Sequence, residues 1–126
     1  MPARKFEAAV RRVPGGDGPS AIAIIDLHGE IDLSAADTLN AAYAQASSQN
    51  PAAALLNFDD VDYINSTGIA LIVGLLGKSR RADLRLMVCG LSEHYMEIFR
   101  ITRLAEFMSV FPDEASALAS MAVHAT

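Results

Sequence analysis

A chain of 126 residues, 52% of them hydrophobic, carries enough apolar material for one core and too little length for two comfortable domains. That composition excludes a disordered chain, and a formal net charge of −5 without a long basic block speaks against nucleic acid as a partner. The longest apolar runs, near residues 21–25 and 69–76, fall far short of the ~20 residues that span a bilayer, so no membrane insertion is expected.

The chain is read as a single domain over residues 1–126, with no signal peptide at its start. The one cysteine, Cys89, permits no internal disulfide and fits a reducing compartment, so a cytoplasmic location is expected. The dense basic spots, Arg11-Arg12 and Lys78-Ser79-Arg80-Arg81, are small and suit contact with another protein.

In chain order, residues 5–13 have strand-compatible apolar spacing, and Pro14-Gly15-Gly16-Asp17-Gly18-Pro19 reads as a turn. Residues 21–28 form a second strand, antiparallel to the first, whose Ile22, Ile24 and Ile25 occupy both parities and predict burial on both faces. Gly29-Glu30-Ile31-Asp32 ends it. Ser34 with Asp37 three residues on resembles a capping box opening a helix that runs to about Ser48 and stops before Asn50-Pro51. A strand at residues 52–58 follows, then an acidic loop at 59–62, then a helix from about Thr67 to Arg81. A strand at 84–89 precedes a helix capped by Ser92 that carries Tyr95, Ile98 and Phe99 on one stripe. Residues 107–111 form a last strand, and Pro112-Asp113-Glu114 opens a final helix. The order β-β-α-β-α-β-α-β-α predicts an α/β domain: a mixed, mostly parallel sheet with an N-terminal antiparallel strand pair, covered by about four helices.

In such sheets functional groups gather beyond the carboxyl ends of the strands, here at residues 29–32 and 59–68. Ser66 stands at a helix start, where free N–H groups and the macrodipole favour negative charge. Asn65-Ser66-Thr67 reads first as plain helix capping, and a phosphate on Ser66 is compatible with it because it inherits the same N–H groups. Asp59, Asp60 and Asp62 make the loop acidic already, so a phosphate would create a strongly anionic patch. The helix that follows is apolar around nearly its whole circumference and broken by Gly68, Gly74 and Gly77. It reads either as close packing on the sheet or as a partly exposed docking face. Enzyme signals are poor: Ser66 lacks a Gly-x-Ser-x-Gly elbow, the histidines are scattered, and neither a phosphate loop nor metal-ligand spacing is present. No enzyme activity, metal or cofactor is expected.

Five segments together carry a family resemblance: Leu27-His28-Gly29-Glu30-Ile31-Asp32, residues 55–64, Asn65-Ser66-Thr67-Gly68, Val88-Cys89-Gly90-Leu91-Ser92, and the stretch from Ile98-Phe99 through Leu104 to Phe107. In order and spacing the chain resembles a STAS domain of the bacterial anti-sigma factor antagonist family over roughly residues 20–120. The resemblance implies partner switching. The unphosphorylated protein binds an anti-sigma factor serine kinase of the GHKL type and frees sigma. Phosphorylation ends that binding, and a PP2C-type phosphatase restores it. Ser66 would then be the phosphoacceptor, Asp32 an acid beside the kinase contact, and Asn65, Thr67, Gly68 and Ile69 the partner-binding loop and helix start. Two positions depart from the family pattern: Asn65 stands where Asp usually precedes the serine, and Arg103 where a glycine is common. The alternative implied by STAS-like domains is a non-switching scaffold or accessory subunit of a stress-signalling or lipid-transport complex. A small hydrolase using Ser66 is the least supported reading.

Overall fold

The computed structural model describes residues 5–14 and 21–124, and the turn expected at 14–19 lies for the most part outside them. Five strands, β1 (Glu7–Pro14), β2 (Ala21–Ile31), β3 (Ala53–Ile64), β4 (Arg85–Cys89) and β5 (Ser109–Phe111), form one sheet whose spatial order equals their chain order. β1 pairs antiparallel with β2, and every later pairing is parallel. Four helices complete the domain: α1 (Ala36–Ser47), α2 (Ser66–Arg81), α3 (Glu93–Ile101) and α4 (Glu114–His124).

That strand order dictates how the helices are shared between the two faces. Crossovers between parallel strands are right-handed, so three successive crossovers in one direction put α1, α2 and α3 on the same face. Their residues Leu39, Tyr43, Ile72, Leu75 and Phe99 bury against Ile25, Leu27, Leu56 and Val88 in the larger core. Phe58 meets Phe99 edge-to-face with ring centroids 6.2 Å apart, near the preferred aromatic geometry. The opposite parity of the same strands, Ile22, Ile24, Leu55 and Met87, forms a smaller core under α4 through Ala117. The two-faced burial expected of the isoleucines in β2 is therefore observed, with Ile25 on one side and Ile22 and Ile24 on the other.

Three local expectations are corrected. β2 does not end at residue 28. It continues to Ile31 through two register shifts, between Asp26 and His28 and between Gly29 and Glu30, with Gly29 at φ 89 where a side chain would be strained. The acidic stretch 59–62 is strand, not loop, because that extended end of β2 pairs with it: His28 faces Asp60, Gly29 faces Val61, and Ile31 faces Ile64. Buried Phe58 and Ile64 anchor the stretch at either end, which leaves the acids at its surface. The proposed capping box at Ser34 and Asp37 does not form. Asp32 instead accepts hydrogen bonds from the Ser34 N–H at 2.9 Å and from its hydroxyl, capping a 3-10 turn at Leu33–Ala35. α1 then starts behind Ala35 without a side-chain cap, since the turn delivers the chain already helical. Smaller differences are that β4 begins at Arg85 and that β5 is confined to Ser109–Phe111. Phe107 stays out of the strand, exposed, with the Arg80 guanidinium 5.0 Å from its ring centroid.

α4 is tied to the opposite sheet edge by charge. Arg11 on β1 donates to Asp26, at 3.0 Å through Nη2, and also to Glu114 at the start of α4. The Arg11 guanidinium holds the Asp26 carboxyl below its usual range. Partial burial works the other way, and the Asn57 amide assists Arg11 by donating at 2.8 Å. A depressed folded pKa contributes stability above the unfolded value, about 4, and loses it as pH falls through the folded value. Replacing Arg11 with Ala is expected to lower the urea midpoint most at neutral pH, with the gap to wild type closing as pH falls below about 4.

The larger core holds one unpaired side-chain polar atom among the described residues, the Tyr43 hydroxyl. Burial raises its pKa, so it remains a neutral donor without an acceptor. Tyr43→Phe is expected to raise stability by about 1 kcal/mol in urea unfolding, because it removes the desolvated group and keeps the ring.

Candidate functional site

β2 and β3 end side by side, and that parallel ending assembles the site. The register Ile31↔Ile64 makes Asp32 and Asn65 the next residues out of the two strands. Asn65 N–H donates to the Ile31 carbonyl at 3.2 Å, which carries the ladder one step past the last strand residues. Asn65 then turns its side chain to the helix. Its Oδ1 accepts from Gly68 N–H at 2.8 Å, and its own carbonyl accepts from Ile69 N–H at 2.9 Å. Asn65 is the N-cap of α2, in extended backbone, and Ser66 is the first helical residue. The capping expected of this segment is thus made by Asn65. Ser66 and Thr67 are left exposed.

Gly68 is buried, and the backbone fit explains why it must be glycine. A Cβ there would lie 2.1 Å from the Ile31 carbonyl oxygen and 2.8 Å from Ile64 Cγ2. The first turn of α2 therefore rests directly on the ends of β2 and β3. Ile69 follows, half-buried. Asp32, half-buried and engaged with Ser34, leads into the exposed Leu33 on the same rim, and Val73 lies one to two turns along α2, 45% exposed. The docking-face reading of α2 is thus partly supported: Ile72, Leu75 and Leu76 pack inward, while Val73 and Gly74 face outward.

On the other side of β3 stands Tyr95 from α3. β4 pairs with β3 only as far as Asn57↔Cys89, so residues 58–64 continue past it. The Tyr95 hydroxyl accepts from Ile64 N–H at 2.8 Å and donates to the Ile64 carbonyl at 3.4 Å, both buried. Sequence reasoning placed Tyr95 on an apolar stripe and missed this role, for which spacing offers no signal. Tyr95 and Ile64 also line a cavity of about 240 Å³ together with Phe58, Asp59, Val61 and Leu91. A larger and more open hollow of about 630 Å³ lies at the opposite end of α2, against Arg80, Phe107 and Val110, away from the sequence-predicted residues.

The chemistry available at Ser66 is that of an exposed hydroxyl at a helix start. Among the described residues no histidine is bonded to it: His28 pairs with Asp60, and His94 packs edge-on to Tyr95 with centroids 4.9 Å apart. Cys89 is buried, and burial together with Asp59 pushes its thiol up to about 12, which makes it a protonated core group. No group of three or more metal-ligating side chains is found among the described residues, and no helix there is long and apolar enough to cross a membrane.

Comparison with known proteins places this geometry in a family. A STAS domain model matches residues 16–117, and the chain belongs to that family. An anti-sigma-B factor antagonist of Staphylococcus aureus is 36% identical over 55 residues, 44% of this chain and 51% of that protein. The chain thus spans about half the length of the curated relatives it matches. Among solved structures, an anti-sigma factor antagonist from Mycobacterium paratuberculosis superposes with TM-score 0.75 at 18% identity, covering 93% of this chain and 94% of that one. The Bacillus cell fate determinant SpoIIAA in its phosphorylated form gives 0.65 at 20% identity, covering 90% and 97%. At these identities the two structures establish the shared fold.

Gly68→Ala is expected to cost about 3 kcal/mol or more in urea unfolding, since backbone must move to admit the methyl group. Asn65→Ala removes one cap and should cost about 1 kcal/mol. A Gly68→Ala protein as stable as wild type would show that α2 does not rest on Ile31.

Proposed function

We propose that this STAS domain is an anti-sigma factor antagonist that works by partner switching, with Ser66 as the phosphoacceptor. The unphosphorylated protein binds a GHKL-type anti-sigma factor serine kinase and frees sigma; phosphorylation of Ser66 ends the binding, and a PP2C-type phosphatase reverses it. The observation that carries this reading is the placement of Ser66. Its hydroxyl is exposed on the first turn of α2, while Asn65 and Gly68, which bracket Ser66 and Thr67, are committed to holding that turn.

The geometry supports a switch that changes surface and spares structure. A phosphate brings about −1.5 to −2 charges, and at a helix N-terminus the macrodipole and free N–H groups oppose any loss of stability. The same charge arrives beside Asp32 and the exposed Leu33, on the rim that a partner would cover. A desolvated contact made with Ser66–OH would be turned into one that buries an unpaired dianion. Asp32, Asn65, Thr67, Gly68 and Ile69 form the contact zone in this reading, with Gly68 contributing through the backbone path it permits. The names of the relatives agree with the role.

The test is intact-mass and phosphopeptide analysis of the protein from its own cells, beside a Ser66→Ala strain. One phosphate on Ser66, absent from the variant, is expected. Ser66→Asp should reduce kinase retention in a pull-down by about tenfold or more while shifting Tm by only a few degrees, roughly within the range of surface substitutions. Wild-type Ser66 free of phosphate across growth and stress conditions would transfer the assignment to a constitutive scaffold.

A further inference from the structure

We propose that Tyr95 is a positioning residue for the phosphoacceptor loop, its hydroxyl holding the Ile64 peptide so that Asn65 and Ser66 present one geometry to the kinase. The proposal rests on the partner-switching reading and deepens it. Its starting point is a backbone accounting problem. A strand that runs past its neighbour leaves peptide groups on that edge without ladder partners, and a buried one must be satisfied otherwise. β3 outruns β4 over residues 58–64, and at Ile64, 4% exposed, a side-chain hydroxyl stands where a strand would have stood.

The bond acts at the last residue before the cap. Ile64 is held on one side by Tyr95, and the next peptide is held on the other by the Ile31 carbonyl, so residues 64–65 are clamped from both edges. The direction in which β3 hands the chain to α2 is set there, and Ser66 follows one residue later.

Tyr95 is itself fixed. Its N–H donates to the Ser92 hydroxyl at 3.3 Å, which roots the helix start. Ahead of Ser92, Gly90 at φ 77 allows the chain to pass within contact of Asp59, where a Cβ would lie 2.4 Å from the carboxylate. The hydroxyl is therefore carried by an element braced against the same strand that it holds. Tyr43 offers an internal contrast: it is as buried as Tyr95, but its hydroxyl holds nothing.

The experiment compares wild type, Tyr95→Phe and Tyr43→Phe as full chains. Amide hydrogen exchange is followed by NMR, and Ser66 phosphate is followed in the source cells under conditions where wild type is phosphorylated. In Tyr95→Phe the Ile64 and Asn65 amides should exchange about tenfold faster relative to Ile24 and Ile25, the increase corresponding to one lost buried hydrogen bond. The initial rate of Ser66 phosphorylation should fall severalfold. Tyr43→Phe should leave the phosphorylation rate unchanged and should not speed exchange at Ile64 or Asn65. Equal acceleration at every amide would reduce Tyr95 to general stability and overturn the proposal. An unprotected Ile64 amide in wild type would do the same without recourse to a variant, even if Tyr95→Phe failed to fold. Loop exchange that quickens while phosphorylation keeps its wild-type rate would also overturn it. Failure of the underlying switch looks different: wild-type Ser66 then carries no phosphate at all, and both readings fall together.

Discussion

The contact between Gly68 and the Ile31 carbonyl is the constraint on which the candidate site depends. No side chain takes part in it. Two backbones approach so closely that a methyl group would have to occupy the carbonyl oxygen's own space. Because the approach joins the end of β2 to the start of α2, it fixes the relation between two loops far apart in sequence, one carrying Asp32 and Leu33, the other Asn65, Ser66 and Thr67. The hydrogen bond from Asn65 N–H to the same carbonyl and the cap from Asn65 to Gly68 close the arrangement. Rigidity at this point costs little polar burial, since the Asn65 N–H is paired to Ile31 across the two strand ends and the Gly68 N–H to the Asn65 side chain.

The consequence for chemistry is a division of labour between adjacent residues. Asn65 and Gly68 are structural, and Ser66 and Thr67 between them are left to solvent. A charge can be placed on the hydroxyl without touching the groups that hold the turn. Asn at the cap serves this arrangement well. It supplies the accepting oxygen that the helix needs and brings no charge of its own next to the exposed Ser66 hydroxyl. Leu33 and Val73 are exposed apolar positions nearby, and the acids of β3 lie exposed at the surface of the same strand end.

Much of this architecture was legible from residue order. Alternating apolar strands and amphipathic segments fixed the β-β-α-β-α-β-α-β-α course, and the isoleucine parity in β2 announced two cores. The failures share a physical cause. Asp59, Asp60 and Asp62 look like a loop because their side chains prefer water, yet backbone pairing with the bulged end of β2 requires only their peptide groups. Ser34 and Asp37 look like a capping box, but Asp32 captured Ser34 first. Tyr95 could be placed on a buried stripe and no further, because what its hydroxyl reaches is decided by β3 outrunning β4, a property of sheet register and not of spacing. Arg103 illustrates the reverse case. The glycine expected there corresponds to a left-handed backbone, φ 67, which arginine adopts here while pairing with Glu106 at 2.7 Å.

The placement of α1, α2 and α3 on one face has a consequence for the chain during its synthesis. Each strand after the second arrives with its crossover helix already behind it, so the larger core can close step by step as the polypeptide lengthens. The other face has no such provision. Ile22, Ile24, Leu55 and Met87 are all in place, and all bare, until the segment from Glu114 onward has left the ribosome and laid Ala117 and its neighbours over them. A nascent chain of this family member is therefore a sheet with one finished side and one adhesive side for the whole interval between β4 and α4, the interval in which a chaperone has most to do.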